Sequence, residues 1–89
     1  MKAVITVTGK DRTGIISTVS SYCAEYNANI VDISQTVLSD YFAMIMLVEI
    51  DNISVSFTDF VDLMDKAGKE KDLVIKVMHE DIFNSMHKI

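Results

Sequence analysis

The order in which two hydrophobic spacings follow one another leaves this 89-residue chain few folds to adopt. Side chains of a strand alternate between two faces, whereas those on one face of a helix recur every three or four residues. Lys2 to Thr8 alternates and is rich in β-branched residues (Val4, Ile5, Thr6, Val7, Thr8), which suits a pleated, half-buried strand. Ile15, Ile16, Val19, Cys23 and Tyr26 then repeat at helical spacing, with Ser17, Ser20, Ser21 and Glu25 elsewhere on the cylinder. Asn27-Ala28-Asn29 supplies a turn, because Asn tolerates the left-handed backbone that often follows a helix. A second strand is expected from about Ile30 to Leu38, a two-residue turn at Ser39-Asp40, and a third strand from Tyr41 to Ile50. Ser54 to Ser56 offers cap residues for a second helix, whose apolar side carries Phe57, Phe60, Val61, Met64 and Ala67. Asp59, Asp62, Asp65 and Lys66 take its other side, and Gly68 fits its stop. Leu73 to Met78 reads as the last strand, and Asp81 as the cap of a short tail helix bearing Ile82, Phe83, Met86 and Ile89.

The order β-α-β-β-α-β predicts an α+β fold, a ferredoxin-like sandwich with right-handed crossovers. Four antiparallel strands form one sheet, two helices lie on one of its faces, and a short helical tail ends the chain. The third strand adds a demand of its own. Residues Tyr41 through Val48 are all apolar or aromatic, so it reads as buried on both faces. With both helices on one side, the other face has no cover from this chain, and an apolar face of that kind marks an interface. A homodimer is the expected solution, because closed symmetric pairs are the commonest oligomers.

Composition excludes several classes. A chain of this length buries only about 60 to 65% of its unfolded surface, so its core is small. No apolar run is long enough to span a bilayer, and Met1-Lys2 leads directly into strand residues without a secretory leader. A cytoplasmic location without membrane attachment is expected. Eight Lys and Arg against 13 Asp and Glu give a formal charge of −5, which repels polyanions and disfavours direct nucleic-acid binding. The single cysteine, Cys23, falls on the apolar side of the first helix and reads as a buried structural thiol.

The chemistry concentrates in one loop. Gly9-Lys10-Asp11-Arg12-Thr13-Gly14 joins the first strand to the first helix, where unpaired N–H groups and the positive end of the helix dipole favour a carboxylate or phosphate. The run Met1-Lys-Ala-Val-Ile-Thr-Val-Thr-Gly-Lys-Asp-Arg-Thr-Gly-Ile-Ile, together with Asn29-Ile-Val-Asp-Ile-Ser-Gln, resembles the ACT domain, a regulatory module that binds amino acids in many metabolic enzymes. The resemblance covers the whole chain and implies a single ACT domain over residues 1–89. The ending His79-Glu-Asp-Ile-Phe-Asn-Ser-Met-His-Lys-Ile is similar to that of bacterial proteins made of one ACT domain, and the whole is similar to the ACT part of glycine-cleavage repressors.

By that resemblance, the ligand lies where the first loop meets the beginning of the second strand of a partner subunit. The matching positions are Asp11, Arg12, Thr13, Gly14, Ile15, Asn29 and Ile30. Loop N–H groups can take a ligand carboxylate, Asp11 can accept from its ammonium, and the Asn29 amide both donates and accepts. The family commonly has Pro immediately before this glycine; here Thr13 stands there, which leaves the donors in place but the loop less preorganised. The implied protein is not an enzyme and needs no cofactor or metal. It senses a small metabolite as a homodimer and passes the signal to a regulated protein partner.

The alternatives are distinguishable. A metallochaperone needs a Cys-x-x-Cys pair in the first loop, and an RNA-recognition domain needs spaced aromatics flanked by basic residues; neither is present. An acylphosphatase-like hydrolase could use Arg12 and Asn29, but the Gly-x-x-Phe-Arg loop ending is missing. His79, Glu80, Asp81 and His87 read as a solvated strand end and tail rather than a metal site. In a bland reading, Asp11 or Thr13 only caps the helix, Gly14 serves helix–sheet packing, and the chain is a protein-interaction module without a small ligand.

Overall fold

A computed structural model describes residues 1–10 and 14–86. Its elements run β1 (Lys2–Gly9), α1 (Ile15–Glu25), β2 (Asn29–Leu38), β3 (Tyr41–Glu49), α2 (Phe57–Glu70), β4 (Val74–His79) and α3 (Glu80–Met86). The strands form one antiparallel sheet in the order β2-β3-β1-β4. This is the expected ferredoxin-like arrangement, and each strand boundary falls within a residue of its predicted place.

Register explains which side chains go inside. Ala3, Ile5 and Val7 of β1 stand opposite Val48, Met46 and Met44 of β3, and Ile75 and Val77 of β4 share that face. Ile15, Val19 and Cys23 of α1 and Phe60 and Met64 of α2 close over it to complete one core. Phe60 is fully buried and meets the Tyr26 ring edge-on, with centroids 6.2 Å apart. Burying a side chain of that size contributes about 1.5–3 kcal/mol. Burial also pushes the Cys23 thiol up to about 11, so it stays protonated and inert at neutral pH.

Three expectations are refined. Ile16 is exposed, so the apolar stripe of α1 is narrower than its sequence suggests. Gly68 does not end α2; it lies buried inside the helix, where a Cβ would sit 2.8 Å from the Leu73 carbonyl oxygen and 2.9 Å from Ile75. Close helix–strand approach, not a helix stop, is what Gly68 permits. The reversal into β4 falls instead at Asp72, whose φ of 57° is left-handed. Asp81 does not precede α3 as a cap but lies within its first turn beside Glu80.

The third strand alternates within one chain. Phe42, Met44, Met46 and Val48 are buried under the helices, whereas Tyr41 and Ile45 on the opposite face are 53% and 44% exposed. The face opposite α1 and α2 thus carries the predicted uncovered apolar side chains. One part of it is covered: Val4 points away from the core, yet is buried where α3 packs against β1 and β4. Among the described residues, no helix is long and apolar enough to cross a membrane.

Candidate ligand site

Gly9 ends β1, and Gly14 begins α1 as its N-cap. Gly14 has φ 74°, a left-handed conformation that costs an L-residue about 1–2 kcal/mol. A Cβ placed on it would touch nothing within 4 Å, so Gly14 is not a helix–sheet packing glycine. Its carbonyl accepts from the Thr18 N–H at 2.9 Å and starts the helix. It offers no side chain to the first-turn N–H groups, and that turn holds no acidic residue. Among the described residues, the positive end of α1 therefore meets no side-chain cap and no counter-charge from its own first turn.

Asp11, Arg12 and Thr13 lie outside the described residues. Of the other predicted positions, Ile15 is 2% exposed, and its side chain belongs to the core, leaving its backbone N–H as the group it could offer. Ile30 is half-buried against the same core. Asn29 is exposed at the first position of β2. The preceding turn is held as its composition suggests: Asn27 is left-handed at φ 62°, and its amide donates to the Asn52 carbonyl at 2.8 Å.

The two halves of the predicted site do not meet within one chain. Gly9 pairs with Phe42 and Phe42 with Val37 at one end of the sheet, whereas Asn29 pairs with Glu49 and Glu49 with Lys2 at the other. Seven residue steps along β3 separate those levels, roughly 24 Å at strand rise. Two copies with their β2 strands antiparallel would exchange the ends, bringing the Asn29 of each to the level of the other's first loop. β2 is an edge strand and geometrically available for this, although a bulge between Ile30 and Asp32 bends it.

A cleft of about 530 Å³ opens beside Gly9 at the loop end of the sheet. Its wall includes Lys10, Tyr41, Lys71 and Asp72, only the first of which the sequence places near a ligand loop. Register brings the others there, and no local pattern announces it. At the opposite end, His79 stacks on Phe57 with ring centroids 3.9 Å apart, while His87 lies outside the described residues.

The βαββαβ order, with a glycine starting the first helix, defines a ferredoxin-like α+β domain as the class of protein. The ACT domain model matches residues 2–78, and the chain belongs to the ACT domain family. It is 50% identical over 88 residues to a UPF0237 protein of Methanocaldococcus jannaschii, covering 99% of this chain and 98% of that one. Its structure superposes on an ACT domain protein from Streptococcus pneumoniae with a TM-score of 0.83 at 42% identity, covering 93% of each chain. It also matches a candidate glycine cleavage system transcriptional repressor with a TM-score of 0.70 at 27% identity, over 86% of this chain and 44% of that one.

Proposed function

We propose that this protein is a non-enzymatic amino-acid sensor: a single ACT domain that works as a homodimer in the cytoplasm and signals through a partner protein. The observation that carries this reading is the start of α1. Gly14 holds a left-handed turn, and among the described residues the first-turn N–H groups receive neither a cap side chain from it nor an acidic side chain within that turn. Such a terminus suits a ligand carboxylate. Asp11, Arg12 and Thr13 of the same loop and the backbone of Ile15 complete one side of the site. Asn29 and Ile30 of a second copy form the other side, which accounts for their separation in one chain.

Ligand binding then strengthens one assembly over another, and that difference is what a regulated partner can read. The likeness to a candidate glycine cleavage system transcriptional repressor fits a setting in amino-acid metabolism. A second reading is favoured by the exposed Tyr41 and Ile45, which suit an interaction module that never binds a small molecule.

Thermal unfolding against each of the twenty amino acids at millimolar concentration separates the two. A ligand at about a hundred times its dissociation constant adds roughly 2.7 kcal/mol, raising the midpoint of a domain this small on the order of ten degrees. The expected result is a selective shift that Asn29→Ala abolishes while the midpoint without ligand stays the same. A flat screen, or a shift indifferent to Asn29→Ala, sinks the sensing site as drawn.

A further inference from the structure

The cleft beside Gly9 has a composition that the rest of this acidic chain lacks. Lys10 at the end of β1 and Lys71 after α2 both line it, and among the described residues neither ammonium is in an ion pair. The third nearby lysine, Lys76, is by contrast engaged with Asp65 at 3.6 Å. Asp72 contributes one carboxylate to the wall, so the described lining of the cleft carries one excess positive charge in a protein of formal charge −5. Its floor is apolar: the Tyr41 ring and Val74, 53% and 55% exposed, lie on the face opposite α1 and α2, and Lys10 Nζ stands over the Tyr41 ring at 5.8 Å from its centre.

We infer that this cleft is a second binding site, distinct from the Gly14–Asn29 site, for a small organic anion with a flat apolar body. Two ammonium groups without a carboxylate partner among the described residues line one concavity, and a carboxylate or phosphate between them gains charge-assisted hydrogen bonds from both. The flat body covers Tyr41 and Val74, removing apolar surface from water. The Thr8 hydroxyl on the same wall can donate to the anion. A volume of about 530 Å³ falls in the range of small-molecule sites and exceeds what a bare inorganic ion fills. Asp72 opposes the anion, which makes it the position where binding can be strengthened rather than broken.

The test titrates the full chain at low salt with phenyl phosphate, inorganic phosphate and neutral benzamide, followed through backbone amide resonances. Phenyl phosphate is expected to shift the Gly9, Lys10, Tyr41 and Val74 amides, with inorganic phosphate about tenfold weaker and benzamide silent. Lys10→Ala with Lys71→Ala should weaken phenyl phosphate binding about tenfold or more, and Asp72→Asn should tighten it severalfold. Asn retains the left-handed backbone needed at residue 72, so the gain reads charge and not refolding. Asn29→Ala should leave this titration unchanged, which separates failure of this site from failure of the amino-acid site. Equal binding of benzamide, no shifts at these amides, or indifference to both the lysine and the Asp72 variants overturns the inference.

Discussion

At the junction of β3 and α2, Ser56 in extended conformation accepts from the Asp59 N–H at 3.1 Å, and Asp59 adds a negative charge to the first turn. At the junction of β1 and α1, Gly14 in left-handed conformation brings no side chain, and the first turn has no acid. The two helices otherwise do the same work, laying one apolar stripe on the same sheet face. A junction completed by its own side chain needs no ligand, whereas one whose described residues supply no cap leaves room for one. The pair therefore separates a structural junction from one suited to a ligand, and the separation can be attacked at both ends.

The largest expected effect lies at the far end of the α2 half. Gly68→Ala forces a Cβ against the Leu73 carbonyl oxygen and should cost about 1–3 kcal/mol, read as a lower midpoint in denaturant unfolding. Gly14→Ala should cost about 1–2 kcal/mol from left-handed strain alone. Because that Cβ meets only open space, the variant should still fold. It should also lose any amino-acid-induced thermal shift, and retention of a full shift would remove Gly14 from the site.

Ser56→Ala removes the α2 cap and should cost about 1 kcal/mol, with ligand response unchanged; a loss of response there would erase the distinction between the junctions. The smallest effect concerns Asp65, which ties α2 to β4. The hydrogen bond from Lys69 holds its carboxyl below the ordinary value against an opposing desolvation, with the charges of Lys69 and Lys76 and a hydrogen bond from Lys76 adding to the lowering. A lowered folded value stabilises at neutral pH and fades as pH falls through the carboxylate range. Wild type and Asp65→Asn should therefore differ slightly at neutral pH and converge in acid, as followed by unfolding midpoints.

Much of this fold was legible because its periodicities are clean. The helical repeat through Phe60, Met64 and Ala67 and the β-branched run from Val4 to Thr8 each point to one kind of element. Gly68 was misread because a glycine near a helix end has the same local signature whether it stops the helix or lets a strand pass close by; only the position of Leu73 and Ile75 decides. Asp81 failed for a similar reason, since a cap and a first-turn acid differ by one residue. At the site, Gly14 stood out as a loop glycine, but its left-handed backbone is a feature only the structure gives. The gathering of Lys71, Asp72 and Tyr41 around Gly9 was not legible, because strand register sets it across more than sixty residues of chain.

The burial of Val4 under α3 also bears on how the molecule opens. α3 contributes no fully buried residue of its own: Phe83 is half-buried, and Ile82 and Met86 are 52% and 66% exposed, so only a modest apolar area holds it in place. Segments with few buried contacts detach at free energies well below that of global unfolding. Amide hydrogens of residues 80–86 should therefore exchange with solvent deuterium long before those of β1. A protease acting on that detached state would lengthen the apolar strip of Tyr41 and Ile45 by Val4 while leaving the core between helices and sheet intact.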